Sequence, residues 1–151
     1  MDELNARIAF PLDMGDWVEP ATLCLWVEEE VKKLNGAAPA VDVRKKMLAV
    51  LSFAYARGVF DSEEILDLCR SDALYRSLCE GVDFSWDDLQ SVRHKDRGLL
   101  VTLTVRLLTR AVVEKFSVAA ASLDPAVKRR LHESAVDRLD NARNMDRGEE
   151  E

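Results

Sequence analysis

The sequence has almost no isoleucine: two residues, against twenty leucines and seventeen alanines. So little isoleucine beside so many of the best helix formers leans the chain toward helices and away from a sheet. Cysteine is scarce too, limited to Cys24, Cys69 and Cys79. Their odd number excludes a complete disulfide framework, none falls in a C-x-x-C spacing, and they read as buried reduced thiols of a cytosolic protein. Long apolar runs are missing. Arg106 and Arg110 interrupt the longest candidate, which falls short of the roughly 18 uncharged residues a membrane helix needs, so no membrane partner is expected. The opening residues hold Asp2, Glu3, Asp13, Asp16 and Glu19 where a leader would carry a basic and then an apolar segment. No signal peptide is expected, and the location expected is cytoplasmic.

What is present is the composition of a globular chain: 151 residues, 48% hydrophobic and 32% charged. That length suits one domain, which typically buries about 70% of its unfolded surface. Net charge is −7, unevenly placed: residues 1–40 carry −5, residues 41–97 carry −2, and residues 98–151 balance. An anionic chain repels phosphate at long range, so nucleic-acid contact would need local basic clusters and would weaken with salt.

Along the chain, an arm to Trp17 contains Pro11 and Gly15 and shows no period beyond one helical turn near residues 4–8. Pro20 suits the first turn of a helix in which Leu23, Trp26, Val27, Val31 and Leu34 recur at helical steps until Asn35-Gly36. A linker at 37–40 leads to a second helix at about 42–57, with Val43, Met47, Val50, Leu51 and Ala54 inward and Gly58 as its stop. Asp61-Ser62-Glu63-Glu64 has the form of a capping box. Short helices are predicted at about 62–70 and 72–80, closed by Gly81, and another at about 86–95, capped by Ser85. From about 96 to 119 apolar residues occupy nearly every side, which predicts a long helix at the centre of the bundle. Asp124-Pro125 starts the last helix, about 125–146, with Val127, Leu131, Ala135, Leu139, Ala142 and Met145 on one stripe. The expectation is a single all-α domain over 1–148, an orthogonal bundle of about seven helices, followed by an acidic tail at 149–151.

Catalytic signatures are sparse. His132-Glu133 opens like a zincin motif, but Val136 stands where the second histidine is required. No Gly-rich phosphate loop and no G-x-S-x-G occurs. The pairs Asp87-Asp88 and Glu63-Glu64 sit in first helical turns, where the macrodipole accounts for them. Trp17, Trp26, Trp86, Tyr55, Tyr75 and Phe84 read as core or rim packing. No enzyme, metal site, cofactor or small-molecule substrate is expected. Basic clusters remain: Arg44, Lys45 and Lys46 on the second helix, Arg93, His94, Lys95 and Arg97 at the end of the fifth, and Lys128 to Arg130 on the last.

Two of those clusters bracket a distinctive series. It runs Met47-Leu48, Leu51, Phe53-Ala54-Tyr55-Ala56-Arg57-Gly58-Val59, Asp61-Ser62, Ile65, Leu68-Cys69, Asp72, Tyr75-Arg76, Leu78, Gly81, Asp83-Phe84-Ser85, Leu89 and Val92-Arg93. In order and spacing it resembles the N-terminal helical domain of InsH-like bacterial insertion-sequence transposases over about residues 43–97. The resemblance implies a helix-turn-helix-like segment whose last helix could address a DNA groove, with Arg44, Lys45, Lys46, Arg93, His94, Lys95 and Arg97 as nucleic-acid contacts. Glu63, Glu64, Asp67, Asp87 and Asp88 in the same region oppose phosphate. Family transposases carry catalytic carboxylates on a sheet-based domain, whereas helices are expected here after residue 97, so no transposase catalysis is expected. One reading is a non-catalytic stand-alone or domesticated domain that binds duplex DNA or regulates a transposase. The alternative is a protein-interaction or dimerisation module that has lost DNA binding, the Trp26 stripe and the last helix forming a homodimer.

Overall fold

Pro20 presets the backbone of the first helical turn, and α1 runs Pro20–Lys32 with Leu23, Trp26, Val27 and Val31 buried. In the computed structural model, which describes residues 8–34 and 41–150, six more helices follow: α2 (Val41–Ala56), α3 (Ser62–Ser71), α4 (Ala73–Cys79), α5 (Trp86–Lys95), α6 (Arg97–Phe116) and α7 (Pro125–Glu150). No strand occurs among the described residues. The chain is an all-α bundle, as its composition predicts. The helical turn expected near residues 4–8 and the linker at 37–40 fall, wholly or nearly so, outside the described residues.

The centre is α2, not the long helix expected there. Leu48 through Ala56 are all buried, and α2 packs against each of the other six helices. The sequence stripe understated this, because small residues (Ala49, Ser52, Ala54, Ala56) let neighbours close in on every side, while Val43 at the helix start stays exposed. α6 instead buries one face, Leu100, Leu103, Leu107, Leu108, Ala111 and Val112, and leaves Thr102 and Arg106 outward.

Local chemistry sets the helix ends. Gly58 adopts φ +76°, and the N–H groups of Gly58 and Val59 return to Tyr55 and Ala54 at 3.2 and 2.8 Å, the Schellman closure of α2. Asp72 caps α4 by accepting from Leu74 and Tyr75. Asp124 caps α7 through the Val127 N–H. The reciprocal capping box forms around Ser85 and Asp88, where each side chain accepts the other's N–H. α6 stops at Phe116, three residues before the expected end, because Ser117 takes the left-handed conformation at φ +53°. α7 continues to Glu150, past the expected 146 and across Gly148.

Residues 8–18 pack onto the core. Ile8, Met14 and Val18 are buried, and Trp17 meets Phe116 edge-on with ring centroids 5.6 Å apart.

Candidate functional site

The candidate cations lie along the start of α2 and the junction of α5 with α6, and most of them already hold carboxylates. Arg44 clasps Asp96 through both its Nε, at 2.8 Å, and a terminal nitrogen, tying α2 to the end of α5. That hydrogen bond raises the Arg44 pKa above its ordinary value. Lys46 reaches Glu80 at 3.5 Å. With Lys45, Lys32 and Glu28 they line a hollow of about 440 Å³ between α1 and α2. Arg97 meets Asp140 of α7 at 2.8 Å. Arg93 goes deepest: its side chain is 13% exposed, and it stands 3.0 Å from Asp146 of α7, which is wholly buried.

α7 therefore engages the two arginines of the Arg93–Arg97 cluster, and of the residues between them His94 and Lys95 face outward while Asp96 holds Arg44. His94 and Lys95 are exposed and Lys45 half-buried, and none of the three has an ion pair among the described residues. The outward face of α5 also carries Asp87, Asp88 and Ser91.

Two α7 residues that the apolar stripe leaves out organise this region. Asp146 accepts the Ser62 N–H at 3.1 Å, the Ser62 hydroxyl at 2.5 Å and the Gln90 amide at 2.6 Å. It thus adds a cap to α3 from 84 positions away and joins it to α5. Arg138 is buried on the same helix, and burial lowers its pKa. Its guanidinium donates to the carbonyls of Tyr55 and Ala56, at 2.7 and 3.2 Å, and of Pro11 and Leu12, at 2.7 and 2.8 Å. The end of α2 and the N-terminal arm are thereby held by one side chain. Met145, expected inward, is 52% exposed, because the helical period carries the buried face from Ala135 and Ala142 to position 146.

The two stripes proposed as dimer faces are internal. Trp26 is buried with Arg110 stacked over its ring at 4.8 Å, and Arg110 also pairs with Glu29 and Glu30. Val127, Leu131, Ala135, Leu139 and Ala142 are core. The apolar side chains left uncovered include Leu12, 65% exposed, and Met145, which flank a hollow of about 460 Å³ over Gly58 and Phe60. Asn141 and Asn144 complete its lining, which holds no ionised side chain.

Among the described residues, no group of three or more His, Cys, Asp or Glu side chains converges as a metal site would require. His132 is exposed. No helix there is long and apolar enough to cross a membrane. Compared with models of known protein families, with curated proteins and with solved structures, the chain matches none.

Proposed function

We propose that the chain is a non-catalytic helical module, similar to a transposase N-terminal domain that has lost DNA binding, which works by association with a second copy of itself. The observation that carries this reading is the internal pairing of Arg44, Lys46, Arg93 and Arg97 with Asp96, Glu80, Asp146 and Asp140. Cations so held are already balanced by carboxylates, which a phosphate backbone would have to displace. A groove-reading helix also presents its N-terminal residues to the bases, and on α5 those are Asp87 and Asp88. For a chain of net charge −7, a second copy is best met on a neutral face, and the Leu12–Met145 hollow provides one.

The second reading keeps duplex DNA or a transposase as partner, favoured by the unpaired Lys45, His94 and Lys95. Two measurements separate the readings. Sedimentation across a concentration series should give a monomer–dimer equilibrium that Met145→Lys dissolves. Fluorescence anisotropy with duplex DNA should show no binding even at low salt. A strict monomer that binds DNA with a steep salt dependence overturns the association reading.

A further inference from the structure

Of the methionines among the described residues, Met14 is 1% exposed, Met47 is half-buried and Met145 is 52% exposed. Met145 alone of these stands on the association face, where it and Leu12 flank the hollow of about 460 Å³ lined by Gly58 and the buried Phe60. The exposed amides of Asn141, one turn earlier on the same face of α7, and of Asn144 complete that lining. An open approach to the thioether sulfur is what a hydroperoxide needs, and the product is a polar, chiral side chain. It would form at the place where association requires a dry apolar contact.

We propose that Met145 is a modification site for hydroperoxides, and that its conversion to the sulfoxide switches self-association off; the switch rests on the association reading above. The thioether sulfur attacks one oxygen of hydrogen peroxide, the O–O bond breaks, and hydroxide leaves. Hydroxide then takes the proton from the S–OH group, so the products are methionine sulfoxide and water. The sulfur is oxidised by two electrons and the peroxide is reduced by two. In the free chain the new oxygen accepts hydrogen bonds from water and from the Asn141 amide within its reach. Closed against the Leu12 and Phe60 side chains of a dimer face, it loses the water, and an isologous contact loses it twice. Oxidation and association therefore exclude one another: the sulfoxide dissociates the pair, and the pair shields the thioether.

Hydrogen peroxide is the probe, and dithiothreitol is added before each measurement so that oxidised thiols are returned. Peptide mass mapping should find Met145 converted several-fold faster than Met47 and Met14. Its conversion should slow as the chain concentration rises through the range in which sedimentation shows dimer. The converted chain, with its helical circular dichroism intact, should have a dimer dissociation constant raised about tenfold or more. Methionine sulfoxide reductases A and B together should restore the dimer. Met47→Leu and Cys69→Ser should respond to peroxide as wild type does. A chain that is monomeric before any peroxide is added overturns the association reading and the switch with it. A dimer that survives with Met145 fully converted, conversion of Met47 or Met14 ahead of Met145, a rate indifferent to chain concentration, or loss of helicity on conversion overturns the switch alone.

Discussion

Arg93 and Asp146 meet at 3.0 Å with the aspartate shut off from solvent, and the same carboxylate holds the start of α3 through Ser62. A buried charge so arranged is tolerated only while its partners remain, since removing one side leaves the other uncompensated. Asp146→Ala should therefore destabilise by about 3–5 kcal/mol. The double variant Arg93→Met with Asp146→Leu should recover only the part of that loss due to the unpaired Arg93, because Ser62 and Gln90 still lack their acceptor. Urea unfolding followed by circular dichroism measures both, and an Asp146→Ala midpoint equal to wild type would contradict the network's role.

Arg138 is expected to behave differently, because its partners are backbone carbonyls. Arg138→Met should cost about 2–4 kcal/mol, as a buried charged donor is lost and carbonyls of α2 and the arm go unpaired. Its signature is local: cleavage by a nonspecific protease should move to residues 8–18 before the rest of the bundle opens.

Gly58→Ala should cost about 1–3 kcal/mol. The φ of +76° disfavours any side chain, and an added Cβ would stand 2.8 Å from the Leu12 carbonyl oxygen. Gly81→Ala is the useful comparison. Its backbone is equally left-handed, yet a Cβ there meets nothing within 4 Å, so the difference between the two variants isolates the cost of crowding the arm.

Acid should loosen the arm. Burial raises the Asp13 pKa, but the hydrogen bond and charge of Arg57 and the Gly15 N–H more than offset it, and the carboxyl sits below its ordinary value. A carboxylate depressed in the folded state contributes stability above its unfolded pKa and loses it as pH falls through the folded one. Wild type should thus lose more urea resistance between pH 5 and pH 2 than Asp13→Asn does, and parallel losses would remove Asp13 from the account.

Tyr55→Phe should be neutral or slightly stabilising. The phenol oxygen is buried with no hydrogen-bond partner among the described residues, and burial pushes its pKa upward. Deleting an unsatisfied buried hydroxyl removes a desolvation penalty rather than an interaction. A calorimetric midpoint well below wild type would show that the oxygen has a partner after all.

Punctuation was the legible part of the sequence. Pro20, Gly58, Ser85 and Asp124-Pro125 act on their immediate neighbours, so their meaning survives without knowledge of the rest of the chain. Ser117 escaped, since a serine in the left-handed conformation carries no compositional mark. Asp146 and Arg138 escaped for a deeper reason: an apolar period counts only apolar residues, and a charged side chain on the core face looks like a break in the pattern until its distant partners are known. The candidate site suffered the same way. Arg93 and Arg97 read as a surface cluster with His94 and Lys95, and only tertiary pairing with Asp146 and Asp140 separates them.

Because α7 supplies both Arg138 and Asp146, the arm at 8–18 and the start of α3 depend on a segment synthesised after them. On a ribosome, the Pro11 and Leu12 carbonyls would lack the Arg138 guanidinium, and Ser62 its carboxylate, until about position 146 had cleared the exit tunnel. The nascent chain should therefore become resistant to protease in a single late step, rather than helix by helix.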